Sequence, residues 1–174
     1  MKPRLVPFAI AAAVFALDRV TKWFIKAHFS AVDTLVVIPK FFNIVHTENP
    51  GIAFGLLAEA SGVWRDLLLI GFSVAVLVAI SVILLRDQGA AVHSWLLRTG
   101  LALILGGAFG NLYDRIVNRT VTDFIEVHVE ISGSGYYFPA FNVADSAITI
   151  GAGLLLLDMW RSRESKNETA AVGR

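Results

Sequence analysis

Cysteine is absent from the 174 residues. That excludes disulfides, thiolate nucleophiles and Cys-ligated zinc or iron–sulfur centres. Charge is scarce as well. Asp, Glu, Lys and Arg make up 17% of the chain, against about 25% in ordinary soluble domains. A soluble fold needs a charged shell, so the shortage argues against a water-soluble globular domain, and the high apolar content argues against disorder. Neither sign of charge dominates: the formal net charge is +1, so no nucleic-acid partner is expected. The chain has no G-x-S-x-G, no HExxH, no internal repeat and no low-complexity tract. Those absences remove the usual signals of a serine hydrolase or a zinc peptidase.

What the chain has is hydrophobic residues, at 56%, gathered into long runs. A helix crossing a hydrocarbon core needs about 20 residues. Leu67 to Leu85 supplies 19 uncharged positions between Asp66 and Arg86. Leu5 to Leu17 supplies 13, and Trp23-Phe24-Ile25 extends that face beyond Asp18, Arg19 and Lys22. This first segment reads as a span rather than a cleaved leader, since no small-residue cleavage site follows it. Thr99 to Tyr113 gives 15 residues, and a fourth run extends from Asn142 to Trp160. The expected architecture is one all-α membrane domain of four transmembrane helices, over about 5–26, 67–86, 95–116 and 142–160. A polar tail over 162–174 is expected to be disordered.

Basic residues set the expected orientation. Lys2, Arg4, Arg86, Arg98, Arg161, Arg163, Lys166 and Arg174 lie in the tails and the middle loop, whereas Lys26, Lys40, Arg65 and Arg119 lie in the other two loops. The excess places both termini and the loop around Asp87 to His93 in the cytoplasm. In the first outer loop, Leu35 to Ile38 and Phe41 to Val45 are β-like runs split by Pro39, and Asn49-Pro50-Gly51 is a turn signal. They suggest a small sheet on the membrane surface. The second outer loop, 117–141, alternates Val127, Val129 and Ile131 with polar groups before an aromatic cluster, Tyr136-Tyr137-Phe138.

Charges inside a bilayer need a reason. Asp18 and Lys22 share a helical face at i,i+4, as an ion pair or as a polar wall for a pocket. Asn111, Asp114 and Arg115 form a second polar face, just after Gly106 and Gly110, whose spacing permits close helix packing. Asp123 and Asp145 fall at the outer ends of spans three and four. Alone, Asp145 reads equally as a helix N-terminal acid favoured by the macrodipole, and Asp123 as a loop acid. Together they suggest a shared-proton carboxyl pair, in which one member takes a proton from water and the other polarises a carbonyl. Their separation of 22 positions leaves their proximity open. Glu126, His128 and Glu130 alternate and would share one face of a strand, as a solvated face or a metal site.

Five blocks, in this order, resemble the bacterial lipoprotein signal peptidases, also called signal peptidase II. They are Asp18-Arg19-Val20-Thr21-Lys22, Asn49-Pro50-Gly51-Ile52-Ala53-Phe54, Gly106 to Arg115, Val121-Thr122-Asp123-Phe124 and Phe141-Asn142-Val143-Ala144-Asp145. The resemblance implies four membrane helices, an outer β-cradle over about 31–63 and a short outer helix. It implies an intramembrane aspartic endopeptidase of the bacterial cytoplasmic membrane, with its active site near the extracytoplasmic face and no metal or cofactor. Its substrates would be prolipoproteins bearing a diacylglyceryl-cysteine, held among membrane lipids and cut before that cysteine. By motif position Asp123 and Asp145 would be catalytic, with Asp18, Lys22, Asn49, Asn111, Asp114, Arg115 and Asn142 in support. Arg19 stands where the family often has Gln, Ile52 where Ala is frequent, and Arg119 where Gly is common. The alternative class is a small proton-coupled transporter or an ion-binding scaffold, although no inverted repeat supports it.

Overall fold

The structure, a computed structural model, describes residues 5–51, 63–86, 94–131 and 134–172. In chain order it comprises α1 (Val6–His28), β1 (Thr34–Ile38), β2 (Phe42–Asn49), α2 (Val63–Arg86), α3 (Trp95–Asn118), β3 (Val121–Ile131), β4 (Ser134–Tyr137) and α4 (Val143–Val172). Helix α3 is the centre, with α1, α2 and α4 packed around it.

Among the described residues three helices are long and apolar enough to cross a membrane: Val63–Arg86, Trp95–Asn118 and the Val143–Arg163 part of α4. Helix α1 is of similar length, but Asp18, Arg19 and Lys22 interrupt its apolar run. Its buried stripe is Pro7, Ala11, Asp18, Lys22 and Ile25. These positions recur at helical spacing and make one face. The polarity is inside out: Asp18 and Lys22 are 0% and 1% exposed, whereas Val20 and Trp23 are 62% and 67% exposed. Helix α2 likewise turns Trp64, Leu67, Leu68 and Phe72 outward. In water such a surface would be an aggregation liability; facing lipid it is ordinary.

Close packing comes from glycine. A Cβ on Gly106 would lie 2.5 Å from the carbonyl oxygen of Ala11 on α1, and one on Gly107 would collide with the carbonyl of Ala144 on α4. A Cβ on Gly110 would lie 2.6 Å from an oxygen of Asp18. The absence of side chains there lets α1 and α4 reach α3, and it leaves room for a buried carboxylate.

The strands form one antiparallel sheet in the order β1-β2-β3-β4. The sheet departs from the expected cradle over 31–63. Half of it, β3 and β4, comes from the second outer loop, where alternating Val127 and Val129 pair against β2 and β4. The expected loop acid Asp123 is therefore a strand residue, opposite Thr47. Among the described residues the helices are α1 to α4, with no short outer helix. Residues 52–62, with Ile52, Ala53 and Phe54, and the loop 87–93 lie outside the described residues. The tail expected to be disordered over 162–174 is helical through Val172. The segment contains Arg, Glu, Lys and Ala and has no Gly or Pro before Gly173. It extends an existing helix, so it carries no nucleation cost.

Candidate active site

The gap between Asp123 and Asp145 is closed by backbone hydrogen bonds. After β4 the chain turns back along β3. The amides of Phe124 and Ile125 donate to the Phe141 carbonyl at 3.0 and 2.8 Å, and the Phe141 amide donates to the Ile125 carbonyl at 3.0 Å. This bridge sets Asn142, the next residue, beside Asp123.

Asn142 then begins α4 with a reciprocal cap. Its Oδ1 accepts from the backbone N–H of Asp145 at 2.9 Å, and its own backbone N–H donates to Asp145 Oδ2 at 3.2 Å. This is the capping-box arrangement, built from Asn and Asp. The Asn142 Nδ2 donates to Asp123 Oδ1 at 2.7 Å. One asparagine therefore touches both acids. The remaining oxygens are also engaged: Asn49 Nδ2 donates to Asp123 Oδ2 at 3.0 Å and Asn111 Nδ2 donates to Asp145 Oδ1 at 2.7 Å. Asn49 is oriented by its turn, since its Oδ1 accepts from the Gly51 N–H at 2.9 Å. Burial pushes the Asp123 carboxyl up to about 6. The Asn49 and Asn142 amides act against that rise, and the nearby Asp145 adds to it.

Both carboxylates line one cavity of about 560 Å³ together with Asn49, Asn111 and Arg115. Its apolar walls include Val121, Phe138, Phe141, Ile148 and Ile150. Arg115 donates to the carbonyls of Asn111 and Gly51, at 3.4 and 3.1 Å, which ties the Asn49 turn to α3.

Beneath the cavity lies a second group. Lys22 Nζ is 3.1 Å from Asp18 Oδ1, 2.8 Å from Asp114 Oδ2 and 2.9 Å from Asn111 Oδ1. Arg19 spans the same two acids, 2.7 Å from Asp18 Oδ2 and 2.6 Å from Asp114 Oδ1. Its guanidinium also lies 4.7 Å from the centre of the Tyr113 ring. Asp18 Oδ1 further accepts the N–H of Ala144 at 3.1 Å, which fastens the start of α4 to α1.

All nine residues singled out in the sequence meet here. The i,i+4 pairing of Asp18 with Lys22 is present. The polar face of Asn111, Asp114 and Arg115 divides: Asp114 faces α1 and pairs with Lys22 and Arg19, whereas Arg115 turns to carbonyls. Arg19, noted only as a departure, closes the ion cluster; its place next to Asp18 was the available signal. Asn142 was singled out only as support. Its spacing Asn-x-x-Asp at the head of an apolar run is a legible capping pattern. Of the alternating trio on β3, Glu126 accepts from Asn43 Nδ2 at 2.8 Å and His128 stacks on Tyr137, so both are tied into the sheet.

Comparison with known proteins gives one answer. The family model described as signal peptidase (SPase) II matches residues 10–161. A lipoprotein signal peptidase of Solibacter usitatus is 43% identical over 156 residues, covering 90% of this chain and 91% of the relative. One from Pseudomonas aeruginosa is 46% identical, covering 90% and 88%. A solved bacterial membrane enzyme superposes with a TM-score of 0.78 at 29% identity, covering 92% of this chain and 91% of that one. The family match spans most of the chain and includes both cavity carboxylates and the asparagines that hold them, so the chain belongs to the signal peptidase II family of peptidases.

Proposed function

We propose that this protein is a lipoprotein signal peptidase that works as an intramembrane aspartic endopeptidase, with Asp123 and Asp145 as the catalytic pair. The observation that carries the reading is Asn142 holding both carboxylates on the wall of one cavity. Two such acids share a proton, and the titration belongs to the pair. The ionised member takes a proton from water as the water oxygen attacks the scissile carbonyl carbon. The protonated member donates to the carbonyl oxygen as it gains charge. Collapse of the tetrahedral intermediate breaks the C–N bond, and the leaving cysteine amine takes a proton from the pair. The amides of Asn49, Asn111 and Asn142 fix the carboxylates at their places without neutralising them.

Helix α1 is the fourth span in this reading, because its apolar face points outward and its charges inward. Both termini are cytoplasmic, and the sheet covers the cavity on the extracytoplasmic side. The substrate class follows from the family and from the cavity: Val121, Phe138, Ile148 and Ile150 suit a peptide whose cysteine bears acyl chains. Each acyl CH₂ kept from water retains about 0.8 kcal/mol, which holds the substrate in the membrane plane. The scissile bond then meets the acids as a positioned group. A transporter would need a polar route across the bilayer, yet the buried residues of α3 before Gly106 are Leu96, Gly100, Leu101, Ala102 and Leu105.

The test is cleavage of matched preprolipoproteins with and without the diacylglyceryl group, in one detergent–lipid mixture. We expect cleavage before the modified cysteine and a much lower kcat/KM without the lipid. Equal values would remove lipid-dependent positioning, and no cleavage of either would remove the peptidase reading.

A further inference from the structure

We propose that Lys22 is a positioning residue: its ammonium pins the amide oxygen of Asn111 and so aims the Asn111 NH₂ group at Asp145. The inference rests on the peptidase reading above.

An asparagine amide has two unlike ends of nearly the same shape. Turned over, it presents a lone pair where it had presented a donor. The acid itself favours the donor end, and a donor on the oxygen side adds to that preference and fixes where the amide sits. Three asparagines donate to the two acids, and each has its oxygen held by an N–H donor. For Asn142 the holder is the backbone N–H of Asp145, and for Asn49 it is that of Gly51. Both are local devices, a helix cap and an Asx turn, encoded within three residues.

Asn111 has no such device. It lies inside α3, where backbone N–H groups are used by the helix itself. Its oxygen is held from another helix, by Lys22 Nζ at 2.9 Å, with Asn142 Nδ2 further off at 3.3 Å. Lys22 is almost wholly buried. Its ammonium donates to Asn111 Oδ1 and lies within ion-pair distance of Asp18 and Asp114. Arg19 takes the second oxygen of each of these two acids. The four ionic groups therefore balance, with two acids against two bases. Through its contact with the amide oxygen, Lys22 gives the Asn111 amide its direction toward Asp145.

A purely structural lysine would behave differently from a positioning one in a double-mutant cycle. The cycle uses Lys22→Met, Asn111→Ala and the double variant, with kcat and KM measured on a diacylglyceryl-modified preprolipoprotein and Tm measured in parallel. We expect Lys22→Met to lower kcat on the order of 100-fold with KM little changed. In the Asn111→Ala background the same substitution should cost nothing further in kcat. Losses that multiply in the double variant would overturn the inference. If Lys22→Met does not fold, Lys22→Met with Asp114→Asn keeps the cluster neutral around the Asp18–Arg19 pair, and the cycle is run on that pair of changes. Arg19→Gln removes ion pairs but leaves the Lys22–Asn111 bond, so it should lower Tm while kcat stays near wild type. A kcat loss in Arg19→Gln equal to that of Lys22→Met would assign the effect to cluster stability and also overturn the inference. A wild-type protein that cleaves nothing would instead fail the peptidase reading itself.

Discussion

Two buried groups of charge lie side by side in this molecule and are built on opposite plans. In the lower one, Asp18 and Asp114 each contact both Lys22 and Arg19. In the upper one, Asp123 and Asp145 are held by asparagine amides and a backbone N–H, and among the described residues neither is in an ion pair. A carboxylate in ion pairs with two bases serves as a fastener. One held by neutral amides has its geometry fixed without a counter-charge. The lower group ties α1 to α3 and to the head of α4; the upper group faces the cavity. In the proposed reading, the lower group fixes helices and the upper group handles protons.

The largest expected effect comes from removing proton exchange in the upper group. Asp123→Asn and Asp145→Asn should each lower kcat by at least about 10²–10⁴-fold, with the helical content retained. Asp158→Asn, on the far part of α4, should leave the rate near wild type. A dyad variant that retained full rate in the cleavage assay would erase the contrast between the two groups.

The same substitution should also alter how stability depends on pH. Folded Asp123 titrates near 6, whereas the unfolded carboxyl titrates near about 3.9. The folded state thus binds the proton more tightly. Its contribution to stability is fully present below the unfolded value and is lost as pH rises through the folded one. Asp123→Asn cannot ionise, so its stability relative to wild type should rise from pH 4 to pH 8, on top of a constant cost for the acceptor it loses toward Asn49 or Asn142. Thermal unfolding across that range checks it, and a relative stability that rises on acidification would reverse the assignment.

A third comparison sets α3 against α2. Gly107→Ala would drive a methyl into the Ala144 carbonyl and should destabilise by roughly 1–3 kcal/mol. At Gly71, in α2, nothing lies within 4 Å of an added Cβ. Gly71→Ala should be neutral or stabilising by up to about 1 kcal/mol. Equal unfolding midpoints for the two variants would mean that α3 and α4 do not pack this closely. The smallest effect is expected at Arg119, which ends α3 with φ of 62°, in the left-handed region that favours glycine. Arg119→Gly should stabilise by under about 1 kcal/mol, read as a small rise in Tm.

The sequence makes some of these features plain and hides others. The uninterrupted run from Leu67 to Leu85 is enough to place α2, because span length is a local property. The Asp18–Lys22 pair is also local and follows from helical spacing. Asp114 is different: its partners lie on α1, 95 positions away in the case of Arg19, and spacing along α3 alone does not name them. The meeting of Asp123 with Asp145 depends on Phe141 pairing with Ile125, a backbone contact that side-chain chemistry does not announce. The sheet was half legible, since Leu35 to Ile38 and Phe41 to Val45 look like strands, but β3 and β4 acquire their partners only when the two outer loops meet. The tail misled through its polarity. A polar segment without glycine or proline can continue a helix that has already begun.

Asn142 makes the first turn of α4 and the junction of the acid pair a single object. Fraying of that turn would release Asp145 from its cap and Asp123 from its amide at the same moment. Order at that helix terminus and the hold of Asn142 on both acids are therefore one event. Amide hydrogen exchange at Asp145 would thus report the fraction of molecules in which that hold is made.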